Sequence, residues 1–262
     1  MIKNITNSKV AILALVSGLT ACGEIPSQSS SDEARAASSQ SSKPDFSEIA
    51  DVNQKKAAFF DFLRPAVEHE NQRVEKERLF LEAIKSAVSS GKSLSSDQFN
   101  YAEKLADTYK VTLNEQGVTA EWLSAMLSRV DVIPESLVLS QAANESGWGT
   151  SRFAVEGNNY FGQWCYRKGC GLVPNARDDG ASHEVAVFAS PYLSVQAYFM
   201  NVNTNRAYQD LRDIRAAQRL TGEVIEGTKL AEGLSRYSER GQAYVDEIQA
   251  MIKHNNQYWR QG

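Results

Sequence analysis

From about Ile49 onward, apolar side chains recur every three to four residues, the spacing that lines one face of an α-helix. Phe59, Leu63, Ala66 and Val67 begin the first stripe, and Val74, Leu81, Ile84 and Val88 carry it on to Gly91, a natural helix end. Pro65 falls inside this stripe and is expected to kink or divide the helix. The charged run EHENQRVEKER reads as its solvated face. Ser96 or Asp97 is suited to cap a helix carrying Phe99, Ala102, Leu105 and Tyr109, and Thr119 one carrying Leu123, Met126, Leu127 and Val130. The texture changes in GNNYFGQWCYRKGCGLVP, rich in glycine and aromatics, and in SHEVAVF, which alternates as a strand does. A small β-hairpin or β-meander is expected there. Helices then resume at Ser190-Pro191, a cap followed by a first-turn proline, with Val195, Phe199 and Val202 facing inward. Thr204 is expected to cap the next, with Tyr208, Leu211 and Ile214, ending near Gly222. A last helix from about Gly241 buries Tyr244, Ile248, Met251 and Ile252. The pattern describes a mainly α fold with one small β element.

The residues before Ile49 follow another logic. Lys3 and Lys9 precede or flank the apolar run VAILALVSGL, and small residues lead to Cys22, as in an export signal. Leu19-Thr20-Ala21-Cys22 resembles a bacterial lipobox, which implies cleavage before Cys22 and lipid attachment there. Gly23, rather than aspartate, points by analogy with Gram-negative lipoproteins to the outer membrane, facing the periplasm. A tethered rather than membrane-spanning protein is the expectation. The stretch that follows is rich in serine and alanine with little to bury, and reads as a flexible tether. The expected organisation is therefore 1–21 signal, 22–48 tether, 49–130 N-terminal helical region and 131–262 catalytic domain.

Of the 262 residues, 42% are hydrophobic and 23% charged, enough for an ordinary globular core. The formal net charge is −4, and residues 1–21 contribute two lysines and no acid, so the remainder carries −6. That balance excludes a nucleic-acid partner, which asks for a basic face.

The chemistry concentrates in PESLVLSQAANESGWGTSR, residues 134–152. A helix starting at Pro134 places Leu137, Gln141, Asn144 and Glu145 on one face, and Gly147 ends it beside Trp148. A carboxylate there suits a proton donor whose pKa is raised by desolvation. An ordinary helix end whose glutamate faces water fits the same residues.

QAANESGWGTSRFA followed by GNNYFGQW resembles the active-site signature of the endo-β-N-acetylglucosaminidases of glycoside hydrolase family 73. KKAAFFDFLRPAVEHENQRV, WC…GCGLVP, DDGASHEVAVFASPYLSV and AYQDLRDIR are similar to the Bax-like branch, so the resemblance runs from about residue 54 to the C-terminus. It implies a lysozyme-like α+β fold, with a cleft between a helical lobe and a β-hairpin lobe. It also implies a peptidoglycan glycan-strand substrate and Glu145 as catalytic acid. The family's second acid often stands in a Thr-x-Glu-Tyr context that is absent here. Glu184 is then the nearest hairpin carboxylate, with Asp178 and Asp179 just before it. The substrate's acetamide is an alternative second group.

By the same resemblance Asn158, Asn159, Tyr160, Phe161, Gly162, Gln163 and Trp164 line the cleft floor. Trp148, Tyr192 and Tyr237 are further sugar-binding candidates, the first two equally readable as core. Cys165 and Cys170, close together in an exported chain, favour a local disulfide over a zinc pair. His69, His183 and His254 are scattered, so no metal and no cofactor is expected; a Cys–His nucleophile is the weakest option. Rival activities are a lytic transglycosylase and a peptidoglycan-binding scaffold without turnover.

Overall fold

The first apolar stripe folds as a single helix, α1 (Val52–Ser89), whose N-terminus is capped by the Asp51 carboxylate accepting from the Gln54 N–H at 2.8 Å. The computed structural model describes residues 43–175 and 183–260. Pro65 does not divide α1. It lies on the exposed face, and the carbonyl it cannot serve belongs to Asp61, also exposed, where water can take the missing bond. The opposite face buries Phe59, Phe60, Leu63, Val67, Val74, Leu81 and Ile84, which outweighs an interior proline costing about 3 kcal/mol.

The charges of α1 are not all solvated either. Glu70 and Glu77 are fully buried, and the Arg73 guanidinium reaches both, at 2.5 and 2.6 Å. The Tyr109 hydroxyl donates to Glu77 at 2.6 Å. Desolvation raises the Glu77 pKa, opposed by Arg73 and by that hydroxyl. These acids are buried because α1 is long enough to be covered on several sides.

Helices α2 (Ser96–Tyr109) and α3 (Ala120–Arg129) pack on α1. Ser95, rather than Ser96 or Asp97, caps α2, in a reciprocal box with Gln98. Thr119 caps α3 as expected. The signature helix α4 (Glu135–Ser146) and the short α5 (Arg152–Gly157) follow. Strands β1 (Trp164–Cys165), β2 (Gly171–Leu172) and β3 (Glu184–Ala186) form an antiparallel sheet with β3 in the middle, so the element is neither a simple hairpin nor a meander. Register pairs Trp164 with Val185 and Leu172 with Val185 across β3. Gly171 is confined to glycine here, since a Cβ would meet the Val185 carbonyl oxygen at 2.0 Å.

Helix α6 (Pro191–Thr204) has the expected Ser190 cap and first-turn proline. Thr204 does not cap the next element, because its hydroxyl bonds back to the Met200 carbonyl at 2.7 Å. Asn205 does so instead, opening a 3₁₀ turn (Arg206–Tyr208) before α7 (Gln209–Thr221). The chain closes through α8 (Gly227–Leu230) and α9 (Gln242–His254). The fold is mainly α and lysozyme-like, with its small sheet as a side lobe. Among the described residues no helix is long and apolar enough to cross a membrane.

One apolar core runs from Phe46 to Ile252 and takes in both helical regions. Phe46, assigned to the tether by composition, is buried against Phe59 and Phe62. The two regions are also pinned together at Asp131, whose buried carboxylate meets Arg78 of α1 at 3.1 Å and Arg219 of α7 at 2.7 Å. Arg215 of α7 is 3.8 Å from the same carboxylate and donates to the Asp131 and Val132 carbonyls and to Asn203. Asp131→Ala, which strands buried guanidinium charge, is expected to cost about 3–5 kcal/mol of stability. Urea denaturation measures it, and a loss below about 1 kcal/mol would remove Asp131 from its role as pin.

Candidate active site

Pro134 stands at the N-cap of α4 rather than in its first turn, and Glu145 is the helix's penultimate residue. Three consecutive residues then adopt left-handed backbone: Gly147 (φ 56°), Trp148 (φ 57°) and Gly149 (φ 78°). For Trp148 that conformation costs about 1–2 kcal/mol. The turn is held by the Trp148 N–H on the Ala143 carbonyl at 2.8 Å and the Gly149 N–H on Ser146 Oγ at 2.9 Å. Phe46 closes it from outside: a Cβ on Gly149 would sit 2.5 Å from the Phe46 ring. The Lys43 ammonium reaches the Val155 carbonyl at 2.9 Å, at the end of α5.

Glu145 is half-buried, and burial raises its pKa above the ordinary carboxylate range. Two hydrogen bonds oppose the shift, from Tyr244 and Asn144. The Tyr244 hydroxyl donates to Oε1 at 2.8 Å and accepts from Gln141 Nε2 at 2.9 Å, while Gln141 Oε1 accepts from the Tyr198 hydroxyl. The bonds thus run one way, Tyr198 to Gln141 to Tyr244 to Glu145, linking α6, α4 and α9. Burial pushes the Tyr198 and Tyr244 hydroxyls up, so they remain neutral donors. Tyr237 stacks on Tyr244 (5.2 Å between centroids, 11° between planes) and donates to the Phe161 carbonyl at 2.8 Å.

The loop after α5 passes beside the acid. Gly162 (φ 64°) would carry a Cβ 3.6 Å from Glu145 Oε2, so a glycine there keeps space open at that oxygen. Several of its neighbours are occupied by packing and by the backbone. Asn159 is buried and uses its whole amide on the backbone, accepting from the Phe161 and Gln163 N–H groups and donating to the Gln163 and Ala186 carbonyls. Tyr160 is buried on Phe59 and Phe62, and Phe161 is buried in a stack with Tyr198 at 4.2 Å. Tyr192 is buried too, edge-on to His69. These rings fill the seam between α1 and α6. Asn158 donates to the Phe188 carbonyl at 3.1 Å, and Gln163 to the Ser194 carbonyl at 2.9 Å. Trp148, half-buried, leans on Phe59 and Phe60 with the Lys56 ammonium 5.5 Å from its ring centroid. Trp164 is the open aromatic of the set, 57% exposed and stacked on His183 at 4.1 Å.

Glu184 is buried, and its two oxygens accept the Gly169 and Gly171 N–H groups at 2.9 and 2.8 Å. That is how a carboxylate holds a loop, a structural role beside the catalytic one expected of it. Cys165 and Cys170 form a disulfide across the same loop, Cα to Cα 6.2 Å. Their sulfurs and Glu184 lie within 4.8 Å of one another, but sulfurs joined to each other are not thiolate ligands. Asp178, Asp179 and Cys22 lie outside the described residues. An open cavity of about 730 Å³, lined by Val67, Pro134, Glu135, Ile225, Ile252 and Trp259, sits at the other end of α4. Ten residues of helix, about 15 Å, separate Glu135 there from Glu145.

Tyr244, Tyr198 and Gln141 had no assigned role in the sequence. Only Gln141, one turn before Glu145, offered a signal.

Residues 120–257 match the family described as mannosyl-glycoprotein endo-β-N-acetylglucosaminidase, or glucosaminidase. Protein bax of Escherichia coli (strain K12) is 32% identical over 232 residues, covering 87% of this chain and 79% of that protein. No solved structure matches the chain significantly.

Since the Tyr244 hydroxyl favours the ionised form of Glu145, Tyr244→Phe is expected to move the Glu145 titration to higher pH. Carbon-13 NMR of the side-chain carboxyl reads this directly. An unchanged or lowered midpoint would mean that the bond does not act on the acid.

Proposed function

Because the chain belongs to the glucosaminidase family, a family of glycosidases, we propose that it hydrolyses the N-acetylglucosaminyl-β-1,4-N-acetylmuramyl bond of peptidoglycan, with Glu145 as general acid. The observation that carries this reading is the half-buried Glu145 carboxyl, its pKa raised by burial, tied at Oε1 by Tyr244 and with Oε2 beside Gly162, where no side chain crowds it. Oε2, the oxygen beside Gly162, is the one we assign the transferable proton, since Oε1 accepts from Tyr244. A glycan lying along Gly162 presents its bridging oxygen there. Proton transfer weakens the glycosidic bond as positive charge builds at the anomeric carbon, and water or the sugar's own acetamide then attacks that carbon. A raised pKa keeps the acid protonated into a higher pH range, so activity extends upward and falls once Glu145 ionises. The exposed Trp164–His183 stack offers a flat apolar face for a sugar ring.

The occupied state of Glu184 favours one second reading, a lytic transglycosylase. There an internal hydroxyl of the muramyl sugar attacks in place of water, so no base is needed for water. We further place the protein at the outer membrane, facing the periplasm and held by lipid on Cys22. This placement is supported by Lys3, Lys9, the apolar run and Leu19-Thr20-Ala21-Cys22.

Digestion of purified peptidoglycan followed by mass spectrometry tests the activity. Reducing N-acetylglucosamine ends are expected, lost by about 100-fold or more in Glu145→Gln. The variant should melt no lower than the parent. The native state binds this proton more tightly than the unfolded chain, so stability falls as pH rises through the raised pKa, and a neutral amide avoids that loss. Anhydro-muramyl ends would instead establish the transglycosylase, and intact glycan in both samples would leave only a binding role. Metabolic labelling with palmitate, lost in Cys22→Ser, checks the anchor; equal label in both would refute it.

A further inference from the structure

Hydrolysis needs a second group to take the proton of the attacking water, and Glu184 spends both oxygens on loop amides. Another carboxylate stands in the electrostatic surroundings of Glu145. It belongs to Glu247 on α9, one turn beyond Tyr244. Residues three apart on a helix lie side by side, with Cβ atoms about 5–6 Å apart. Tyr244 is fixed to Glu145 by the 2.8 Å bond from its hydroxyl, and Glu247 stands beside it on the same helix, close enough for its charge to act on the acid. Glu247 is itself held by Arg240, from the turn before α9, through a 2.7 Å bond from Nη1 to Oε2. The turn is ordered by the Gly241 N–H on the Ser238 carbonyl and the Arg240 N–H on Ser238 Oγ.

Both side chains are open, Glu247 39% and Arg240 55% exposed, so water and a polysaccharide can reach them. An exposed lone ion pair adds little to stability. Its position beside a proton donor does have a chemical consequence. The charge of Glu247 raises the Glu145 pKa and that of Arg240 lowers it, after the larger effects of burial and hydrogen bonding.

We propose that Glu247 is the second catalytic carboxylate of this site, acting as general base, with Arg240 as the positioning residue that holds it. This rests on the glucosaminidase reading above. The Glu247 carboxylate takes a proton from water as the water oxygen bonds to the anomeric carbon. The bond from that carbon to the bridging oxygen breaks, and the bridging oxygen takes its proton from Glu145. Glu145 ends ionised and Glu247 protonated, and exchange with solvent restores both. Attack by free water from the face opposite the leaving group inverts the anomeric centre.

The test uses the full chain and purified glycan strands. Glu247→Gln is expected to lower kcat about 100-fold or more with KM within about twofold. Arg240→Gln should give a smaller loss, also in kcat. Azide should restore turnover to Glu247→Gly, yielding a glycosyl azide, a rescue that a merely structural residue would not permit. Proton NMR of the first products should show the inverted anomer. Glu184→Gln should instead lower the melting temperature and leave kcat within about threefold. Wild-type turnover in Glu247→Gln, or a retained anomer, overturns the proposal while the glucosaminidase reading stands. Failure of the wild type to cut glycan overturns both.

Discussion

A single line of hydrogen bonds, from Tyr198 through Gln141 and Tyr244 to Glu145, couples the proposed proton donor to the packing of the helices. Each member lies on a different helix from the next, so the line exists only when α4, α6 and α9 are docked together. Its direction follows from its ends: burial keeps the phenols neutral, so each retains a proton to donate, and the line runs toward the carboxylate of Glu145, where an ionised oxygen can only accept. Burial raises the pKa of Glu145 and the donated bond restrains that rise. The carboxyl is therefore neither a solvated surface acid nor a fully neutral buried one, which is the intermediate condition a proton donor needs.

That docking depends in turn on α1. A helix of 38 residues offers more than one face, and this one uses several, against α3, α4 and α6. Covering it on so many sides buries charges that a shorter helix would leave wet, and the protein answers with Arg73 between Glu70 and Glu77 and with three guanidiniums around Asp131. Such sites contribute less to net stability than to fixing one arrangement, because a misplaced helix would strand a buried charge. The chain also reaches the signature turn directly from its N-terminal side, where Phe46 fills the space beside Gly149. The N-terminal helical region likewise packs on the signature turn, through Phe59 and Phe60 against Trp148, and is continuous with the core beneath it.

The sheet lobe is built differently. Its strands are two or three residues long, and its loop is held by Glu184 and by the Cys165–Cys170 disulfide. A lobe with so little apolar core needs such ties. With its glutamate used as a tie, the second carboxylate proposed above lies outside this lobe, at Glu247.

Much of this was legible in the sequence, and the legible parts share a cause. The Thr119 and Ser190 caps, the left-handed Gly147, the helical stripes and the position of Glu145 at a helix end follow from interactions within about four residues. What the sequence left open involves partners far apart. Tyr244 lies 99 residues from Glu145 and Tyr198 lies 57 from Gln141, and no local rule joins them. Asn159, Tyr160, Phe161 and Tyr192 carry groups suited to sugars, but whether a ring meets sugar or core is decided by which helix passes over it. The same holds for Glu70 and Glu77, acids in a charged run that became interior, and for Pro65, whose cost depends on which face meets water. Helical period and capping are properties of the chain's near neighbours and stand in the sequence itself; burial, and with it the pKa and availability of each carboxyl, is a property of how distant segments close over one another.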